Sequence, residues 1–359
     1  PSHVLLSFEA YGKKIKPITI NKTDDRDRLA TQNEVRQLRG LLGSLQWPAS
    51  NGCPYLSCSV SLLQGEFANA TLKTLENANK CLRFFKENSD VPLKYAAISD
   101  QGDNTDDVMN QIGFVAMCDA SWGARPDGTS QGGFLIMLVP REAFNMQAAP
   151  YMILDWRSFK LRRTSRSSLN AEAQAAATAV DSLEFMKTFW RLLSASHEDP
   201  RAEQTVTLAG PSCLVVDAKA LCDASQKEHI HNFEDKRAGV EVMVLKESMR
   251  LSGTTWECCS SERQYADGLT KMSARQLLAD RLRAGRLQLI HDEDVVAAKK
   301  KTASERKQNA EANTLKKKKA TVKKKAKVKK NPRNPKKSPN PKHRNLKCLK
   351  NPKHPPQIS

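Results

Sequence analysis

Four acidic residues occupy positions in the chain from which carboxylates can converge. Asp119 and Asp217 each end a short apolar run, Glu172 lies in the first turns of a long predicted helix, and Asp267 precedes the last one. Carboxylates that share a site repel each other unless a cation lies between them, and Mg²⁺ prefers such oxygen ligands. If the two apolar runs are neighbouring strands, two such ions about 4 Å apart would support in-line displacement at a phosphate.

Each of these acids also has an ordinary structural interpretation. Asp at the end of a strand is most often a turn or cap residue. Spacing alone therefore does not show that the four side chains meet, and the pattern by itself leaves both interpretations open.

The elements that would position the acids follow from apolar runs and turn residues. Predicted strands cover 114–118, 132–139, 151–156, 213–216 and 254–258, and predicted helices cover 167–194, 240–249 and 273–283. The order βββαβαβα predicts an α/β fold, a mixed five-stranded sheet with flanking helices.

A small helical unit is predicted before the sheet. Val35, Leu38 and Leu42 recur at helical spacing, a break is predicted at 48–54, and further apolar stretches run to residue 89. The predicted organisation is an irregular segment 1–30, the helical unit 31–89, a polar linker 90–110, the α/β domain 111–290 and a disordered tail 291–359.

The net charge of +19 is concentrated in the C-terminal tail. From Lys299 onward there are 23 Lys and Arg against two acidic residues, so the remainder of the chain has a net charge of −2. A Lys- and Pro-rich segment of this kind cannot bury apolar surface and is predicted to be disordered. It would bind nucleic acid nonspecifically, act as a nuclear localisation signal, or have no selected role.

Cysteine and hydropathy patterns indicate the compartment. The nine cysteines are irregularly spaced without a C-x-x-C pair, which argues against zinc and favours ordinary thiols in a reducing compartment. No apolar run approaches the about 20 residues of a membrane span, so no membrane partner is expected. An intracellular protein, cytoplasmic or nuclear, is predicted.

Several motifs, in order along the chain, resemble the ribonuclease H region of copia-type retrotransposon polyproteins. They are CDASWG at 118–123, TSQGGF at 129–134, WRSFK at 156–160, SSLNAE at 167–172, FWRLL at 189–193, LVVD at 214–217 and ADGLTK at 266–271. The segment RGLLGSLQW at 39–47 is similar to the helix that follows the polymerase palm in these elements. The resemblance covers about residues 31–290.

This resemblance implies a ribonuclease H-like fold and an endonuclease that cuts the RNA strand of RNA–DNA hybrids. By carry-over, Asp119, Glu172, Asp217 and Asp267 are the catalytic residues and hold two Mg²⁺ ions, or Mn²⁺. The helical unit corresponds to the connection segment of a reverse transcriptase, so the polymerase portion of the same polyprotein is an expected partner. No Tyr-x-Asp-Asp polymerase motif is present, and Ala218 stands where the family usually has Asn.

Substrate contacts are predicted at Ser130 and in a basic loop before the helix of Glu172. Lys236 and Arg237 are also predicted to contact the substrate; they are what this chain keeps of a basic stretch found in the family. The loop contributes Arg162, Arg163 and Arg166, for which a phosphate contact and a solvated loop are about equally supported. Core packing is predicted for Trp122, Trp156 and Trp190.

Two other classes of function compete with the nuclease. The chain could be a noncatalytic nucleic-acid-binding relic in which the basic tail dominates, or a structural connection module that docks to a polymerase. The presence of all four acids favours the enzyme, and a cleavage assay with Mg²⁺ and EDTA separates the three.

Overall fold

The computed structural model describes residues 3–21, 23–96, 111–194 and 210–290. The chain divides into two units, Pro1–Ala298 and Lys299–Ser359, and the second lies outside the described residues. The predicted disordered tail 291–359 and most of the predicted linker 90–110 therefore lie outside them as well. Among the described residues, no helix has the length and apolar character needed to cross a membrane.

The central sheet has five strands in the spatial order β6-β4-β3-β7-β8. The strands are β1 His3–Leu6, β2 Leu93–Ala96, β3 Ile112–Ser121, β4 Gln131–Pro140, β5 Ala149–Pro150, β6 Met152–Lys160, β7 Ser212–Val216, β8 Thr254–Cys258 and β9 Arg286–Leu287. Strands β6, β4 and β3 are antiparallel, whereas β7 and β8 run parallel to β3. The mixed sheet with flanking helices confirms the predicted ribonuclease H-like architecture.

Nine α-helices accompany the strands in the described residues. They are α1 Glu9–Lys14, α2 Gln32–Asn51, α3 Pro54–Gln64, α4 Leu72–Asn88, α5 Ser168–Ser194, α6 Lys219–Ser225, α7 Lys236–Leu251, α8 Asp267–Thr270 and α9 Arg275–Ala284. Helix α6 was not predicted, because its seven residues are too few for a periodic pattern to stand out.

The two faces of the sheet bury different helices. Even-numbered side chains of β3, such as Phe114 and Ala116, pack with α5 and α7 in one apolar cluster. Odd-numbered side chains, Val115 and Met117, pack with α2 to α4, α8 and α9 in another. Strand β3 is therefore apolar at nearly every position because it is buried on both faces.

The helical unit continues further than the sequence pattern predicted. A break was predicted at 48–54, but α2 runs through Pro48 to Asn51. Proline removes the N–H that would bond to the carbonyl of Ser44, and the hydroxyl of Tyr11 donates to that carbonyl instead, at 3.0 Å. The break is confined to Gly52 and Cys53, between α2 and α3.

The N-terminal segment 1–30, predicted to be irregular, contains a strand and a short helix. Strand β1 pairs antiparallel with β2, with His3 opposite Ala96. The two partners are about 90 residues apart, so local periodicity could not reveal the pairing.

One expectation about the cysteines is wrong. Cys222 on α6 and Cys258 at the end of β8 form a disulfide, whereas ordinary thiols were predicted throughout. The pairing depends on α6 lying against β8, which the irregular spacing of cysteines does not show. The other six cysteines of the described residues are buried and belong to no disulfide.

Candidate active site

The parallel pairing of β3 and β7 brings two of the predicted acids together. Met117 is in register with Val215, and two residues further along each strand lie Asp119 and Asp217. The carboxyl ends of parallel neighbours meet at one edge of the sheet. The predicted adjacency of the strands that carry Asp119 and Asp217 is confirmed.

A third acid, Asp267, joins them from the first turn of α8. Oxygens of Asp119, Asp217 and Asp267 all lie within 4.8 Å of one another. Asp119 has only 2% of its surface exposed. These three residues are termed the acidic cluster below.

A glycine allows α8 to approach Asp119 closely. Gly133 on β4 lies opposite Asp119, and a Cβ atom at Gly133 would lie 2.6 Å from the Cβ of Leu269. Any larger residue would push α8 away from the sheet. Gly133 thus sets how close Asp267 comes to the acids on the strands.

Two residues of the ADGLTK motif contact the cluster directly and were not predicted as site residues. The Thr270 hydroxyl donates to Asp119 Oδ2, and Lys271 Nζ lies 3.3 Å from that oxygen. The same ammonium lies 2.6 Å from Asp267 Oδ1. Burial lowers the pKa of Lys271, but the charges of Asp119 and Asp267 outweigh that effect and raise the pKa above its usual range. Lys271 therefore carries a positive charge.

Glu172, the fourth predicted acid, lies beside the cluster on α5 but is not among the acids whose oxygens meet within 4.8 Å. Its Oε2 accepts the backbone N–H of Ala120 at 3.0 Å. Burial and the charges of Asp119 and Asp217 raise the pKa of Glu172 to about 9. Burial, with the charge of Asp267, also raises the pKa of Asp119, and Lys271 opposes that rise. In the absence of a metal, Glu172 therefore holds its proton to a higher pH than an ordinary carboxyl group does.

Gln264 positions the loop that carries Asp267, and it was also missed. Its side chain is 1% exposed, and its Nε2 donates to the carbonyl of Cys118 on β3 at 3.0 Å and to that of Val215 on β7 at 3.5 Å. Its Oε1 accepts the N–H of Ala266 at 3.1 Å. One buried amide thus ties both strands to the start of α8.

The donor set suits a hard divalent cation. Ligand oxygens of one Mg²⁺ lie about 2.1 Å from the ion, hence at most about 4.2 Å from one another. Three carboxylate oxygens within 4.8 Å reach that arrangement through small side-chain rotations. Buried acids with raised pKa values also have the electrostatic reason to bind a cation, because the cation relieves their repulsion.

The predicted basic residues collect on one surface beside α5. The hydroxyl of Ser167 donates to Asp235 at 2.7 Å, and Asp235 caps the start of α7. This contact joins the loop of Arg162 and Arg166 to the turn of Lys236 and Arg237. All four basic side chains belong to exposed residues. They form the basic surface referred to below.

Arg163 and Ser130 have partners within the protein. Arg163 donates to both carboxylate oxygens of Glu241, one at 2.8 Å. Ser130 is buried, and its hydroxyl accepts the N–H of Gly123 at 3.0 Å. Each would have to give up this interaction to contact a substrate.

Trp122 is exposed, and its predicted packing in the core is wrong. More than half of its surface, 54%, is accessible, and the indole N–H donates to the carbonyl of Ser165 at 3.0 Å. The ring therefore lies between the end of β3 and the basic loop. Trp156 and Trp190 do pack against the apolar clusters. Residue type alone does not distinguish the exposed tryptophan from the two packed ones. Trp122 differs in its position, because it follows Ser121, the last residue of β3.

Comparisons with known proteins give weak likenesses. No protein-family model matches the chain, and no curated protein matches it significantly. An N-terminal RNase H domain from Mycobacterium tuberculosis, solved as a fusion with maltose binding protein, is 15% identical with a TM-score of 0.27. The match covers 47% of this chain and 99% of that one.

Two structures of foamy viral protease-reverse transcriptase also match, and the first of them is the native enzyme of prototype foamy virus. The native enzyme is 14% identical with a TM-score of 0.27, over 53% of this chain and 22% of that one. The complex with an RNA/DNA hybrid is 12% identical with a TM-score of 0.26, over 58% and 25%. The chain thus spans about a quarter of their length. Strand order and helix placement identify the fold as ribonuclease H-like.

Proposed function

We propose that this chain is a metal-dependent endonuclease that cuts the RNA strand of RNA–DNA hybrids. The observation that carries the proposal is the convergence of Asp119, Asp217 and Asp267 at one sheet edge, with Glu172 bonded to the adjacent backbone. Buried acids kept together at a cost in repulsion are typical of functional sites rather than of structural ones.

We assign two kinds of role to the residues at this sheet edge, holding the metal ions and positioning the groups that hold them. Asp119, Asp217 and Asp267, with Glu172 as the fourth ligand, would hold two Mg²⁺ ions, for which Mn²⁺ could substitute. When bound, such ions activate a water and stabilise the leaving oxygen of a phosphodiester. Thr270 orients Asp119, and Gln264 holds the start of α8 against both strands.

The basic surface and Trp122 are the proposed substrate contacts. Arg162, Arg166, Lys236 and Arg237 would bind phosphates, which positions a duplex without reading its sequence. Arg163 and Ser130 would contribute once released from their present partners. Trp122 offers an exposed aromatic face next to the acids, and base or sugar stacking on it would be tolerant of sequence.

The biological context follows from the resemblance described above. We place the chain in a copia-type reverse-transcribing polyprotein, with 111–290 as the nuclease domain and 31–89 as a connection unit facing the polymerase portion. The tail 291–359 would add nonspecific affinity for nucleic acid and could serve as a nuclear signal in an intracellular protein, cytoplasmic or nuclear.

The direct test is cleavage of a hybrid whose two strands carry different labels. We expect cuts in the RNA strand with Mg²⁺ or Mn²⁺ and none with EDTA. Asp119→Asn provides the matched control because it keeps the shape of the side chain. Binding of the hybrid without cleavage under any divalent ion would favour the noncatalytic relic instead.

The proposed role of Trp122 has its own test. We expect Trp122→Ala to weaken hybrid binding at least about fivefold, since stacking on one aromatic side chain contributes about 1–3 kcal/mol. The variant should fold normally because the ring is exposed. Trp122→Phe should retain most of the affinity, and equal losses in both variants would contradict stacking.

The tail is tested by comparing the full chain with residues 1–298. Removing 23 basic residues should weaken binding to all nucleic acids and flatten its salt dependence, because those contacts release counterions. The preference for cutting RNA should not change, since recognition of the 2′-hydroxyl belongs to the folded domain. An unchanged salt slope would show that the tail is not engaged.

A further inference from the structure

The acidic cluster already contains a cation of the chain itself. The ammonium of Lys271 lies 2.6 Å from Asp267 Oδ1, 3.3 Å from Asp119 Oδ2 and 3.4 Å from Asp119 Oδ1. It therefore bridges the carboxylates of two different elements, β3 and α8.

This bridging position is one that a divalent ion would also need. An ion shared by Asp119 and Asp267 would lie about 2.1 Å from an oxygen of each. The Lys271 ammonium occupies the same space between the two carboxylates. Two positive charges at such short range repel strongly in a partly buried site. Lys271 and an ion between Asp119 and Asp267 therefore exclude each other.

Lys271 can leave this position without disturbing the fold. Its side chain is 40% exposed, whereas the side chain of Asp119 is 2% exposed, so the ammonium approaches from the solvent side. The backbone of Lys271 stays anchored because its N–H donates to the carbonyl of Asp267 at 2.8 Å. The flexible four-carbon side chain then allows the charge to move while the residue stays in place.

We propose that Lys271 is a displaceable cation that holds the place of one of the two metal ions until substrate arrives. This inference rests on the nuclease function proposed above. In the substrate-free protein Lys271 neutralises Asp119 and Asp267 and keeps that ion out. A phosphate of the bound hybrid attracts the ammonium, which frees the two carboxylates for the second ion and leaves Lys271 in contact with the substrate.

The arrangement couples metal loading to substrate binding. Without Lys271 the cluster would attract divalent ions at all times, and a fully loaded site would be ready to hydrolyse whatever phosphodiester entered it. With Lys271 in place, Asp217 would stay open to a first ion, and the second ion would need either a phosphate backbone or a high concentration of metal to displace the ammonium.

The test is a calorimetric titration of the full-length protein with Mn²⁺ in the absence of nucleic acid. Lys271→Met removes the charge and keeps the length of the side chain. We expect at least about tenfold tighter binding of Mn²⁺ and a larger rise of the melting temperature on adding it, because neighbouring charges shift carboxylate equilibria by one to three pKa units. Cleavage of the hybrid should nevertheless fall, since the phosphate contact is lost.

Two further variants control for charge and for location. Lys271→Arg keeps the charge and should bind Mn²⁺ as the unaltered protein does. Lys160→Met removes a lysine that pairs with Asp127 on the surface and should leave the affinity unchanged. Tighter metal binding combined with weaker cleavage is a result that a purely structural ion pair would not give.

A measurement on the unaltered protein covers the case in which Lys271→Met does not fold. The reactivity of each lysine towards an amine-modifying reagent is followed by mass spectrometry as Mn²⁺ is added. We expect Lys271 to become more reactive on displacement, with Lys160 as the internal reference. Unchanged reactivity at saturating Mn²⁺ would overturn the proposal.

Failure of this inference differs from failure of the proposed function. If Mn²⁺ affinity changes less than twofold in Lys271→Met but is lost in Asp119→Asn, the site binds metal and Lys271 does not compete. If Asp119→Asn leaves Mn²⁺ binding intact, the acidic cluster is not the metal site, and the proposed function fails with it.

Discussion

The charged groups buried at the two ends of strand β7 have opposite kinds of surroundings. At its start, the ammonium of Lys187 is 1% exposed and donates to Ser212 Oγ at 2.9 Å and to the carbonyl of Ser252 at 2.8 Å. Thr254 completes the network through bonds of 2.9 Å to both serine hydroxyls. At its other end, the acids are buried beside one another with Lys271 as a partly exposed partner.

The difference separates a structural site from the proposed functional one. Lys187 donates to two neutral oxygens, and the charge of Glu184 offsets part of the effect of its burial. Burial lowers the pKa of Lys187 to about 8, a cost that one buried charge imposes. The acidic cluster instead combines like charges, which raises the free energy of the metal-free protein and makes a cation favourable. The start of β7 thus contributes to stability, whereas its other end has the properties expected of the proposed metal site.

The largest expected effect tests the functional end. Asp119→Asn should reduce Mg²⁺-dependent cleavage by more than about a hundredfold, since the loss of groups that merely orient ligands already costs about 10–100-fold. The melting temperature of the metal-free protein should stay the same or rise, because a repelling charge is removed. Full activity of the folded variant would remove Asp119 from the catalytic set.

A substitution at Lys187, at the start of β7, should affect stability rather than cleavage. Lys187→Met is expected to lower the free energy of unfolding by about 2–4 kcal/mol, because two buried oxygens lose their donor. Cleavage per folded molecule should not change. Denaturant unfolding and activity are measured on the same preparation. A loss of activity without a loss of stability would contradict the structural role assigned to Lys187.

The pH dependence of stability distinguishes the two ends further. The pKa of Glu172 is raised to about 9 in the folded protein, so the unfolded chain releases this proton first. The metal-free protein should therefore lose stability as the pH rises from roughly 4.5 towards 9. Glu172→Gln should flatten this part of the profile and add about 1–2 kcal/mol near pH 8. A profile identical to that of the unaltered protein would show that Glu172 titrates normally.

Above pH 8 the structural end has the opposite slope. The pKa of Lys187 is lowered to about 8, so between pH 8 and roughly 10.5 the unfolded state binds more protons than the folded one. Its contribution to stability then rises with pH. This rise should disappear in Lys187→Met and persist in Glu172→Gln.

The smallest expected effect concerns the orientation of Asp119. Thr270→Val keeps the shape of the side chain and removes the hydroxyl that donates to Asp119. Loss of one hydrogen bond of about 0.5–1.5 kcal/mol corresponds to a decrease in cleavage of roughly two- to tenfold. Thr270→Ser should restore the rate, and a decrease as large as that of Asp119→Asn would mean that Thr270 does more than orient.

The sequence by itself determined the elements and the identity of the acids. Apolar runs of four to eight residues bounded by turns specify the strands, and the alanine-rich helical period specifies α5, because these signals are local. The alternation of elements predicted a mixed sheet with flanking helices, and Asp119 and Asp217 stood out because each ends an apolar run.

Only the tertiary structure decided what lies around those acids. Thr270 and Lys271 reach Asp119, and Gln264 reaches its strand, from about 150 residues away. The close approach of Leu269 and Thr270 to the sheet is possible because Gly133 has no Cβ atom. The disulfide between Cys222 and Cys258, the continuation of α2 through Pro48 and the exposure of Trp122 are likewise set by partners distant in the chain. Packing of that kind has no local signature, since the energy that decides it comes from contacts formed only once the chain has folded.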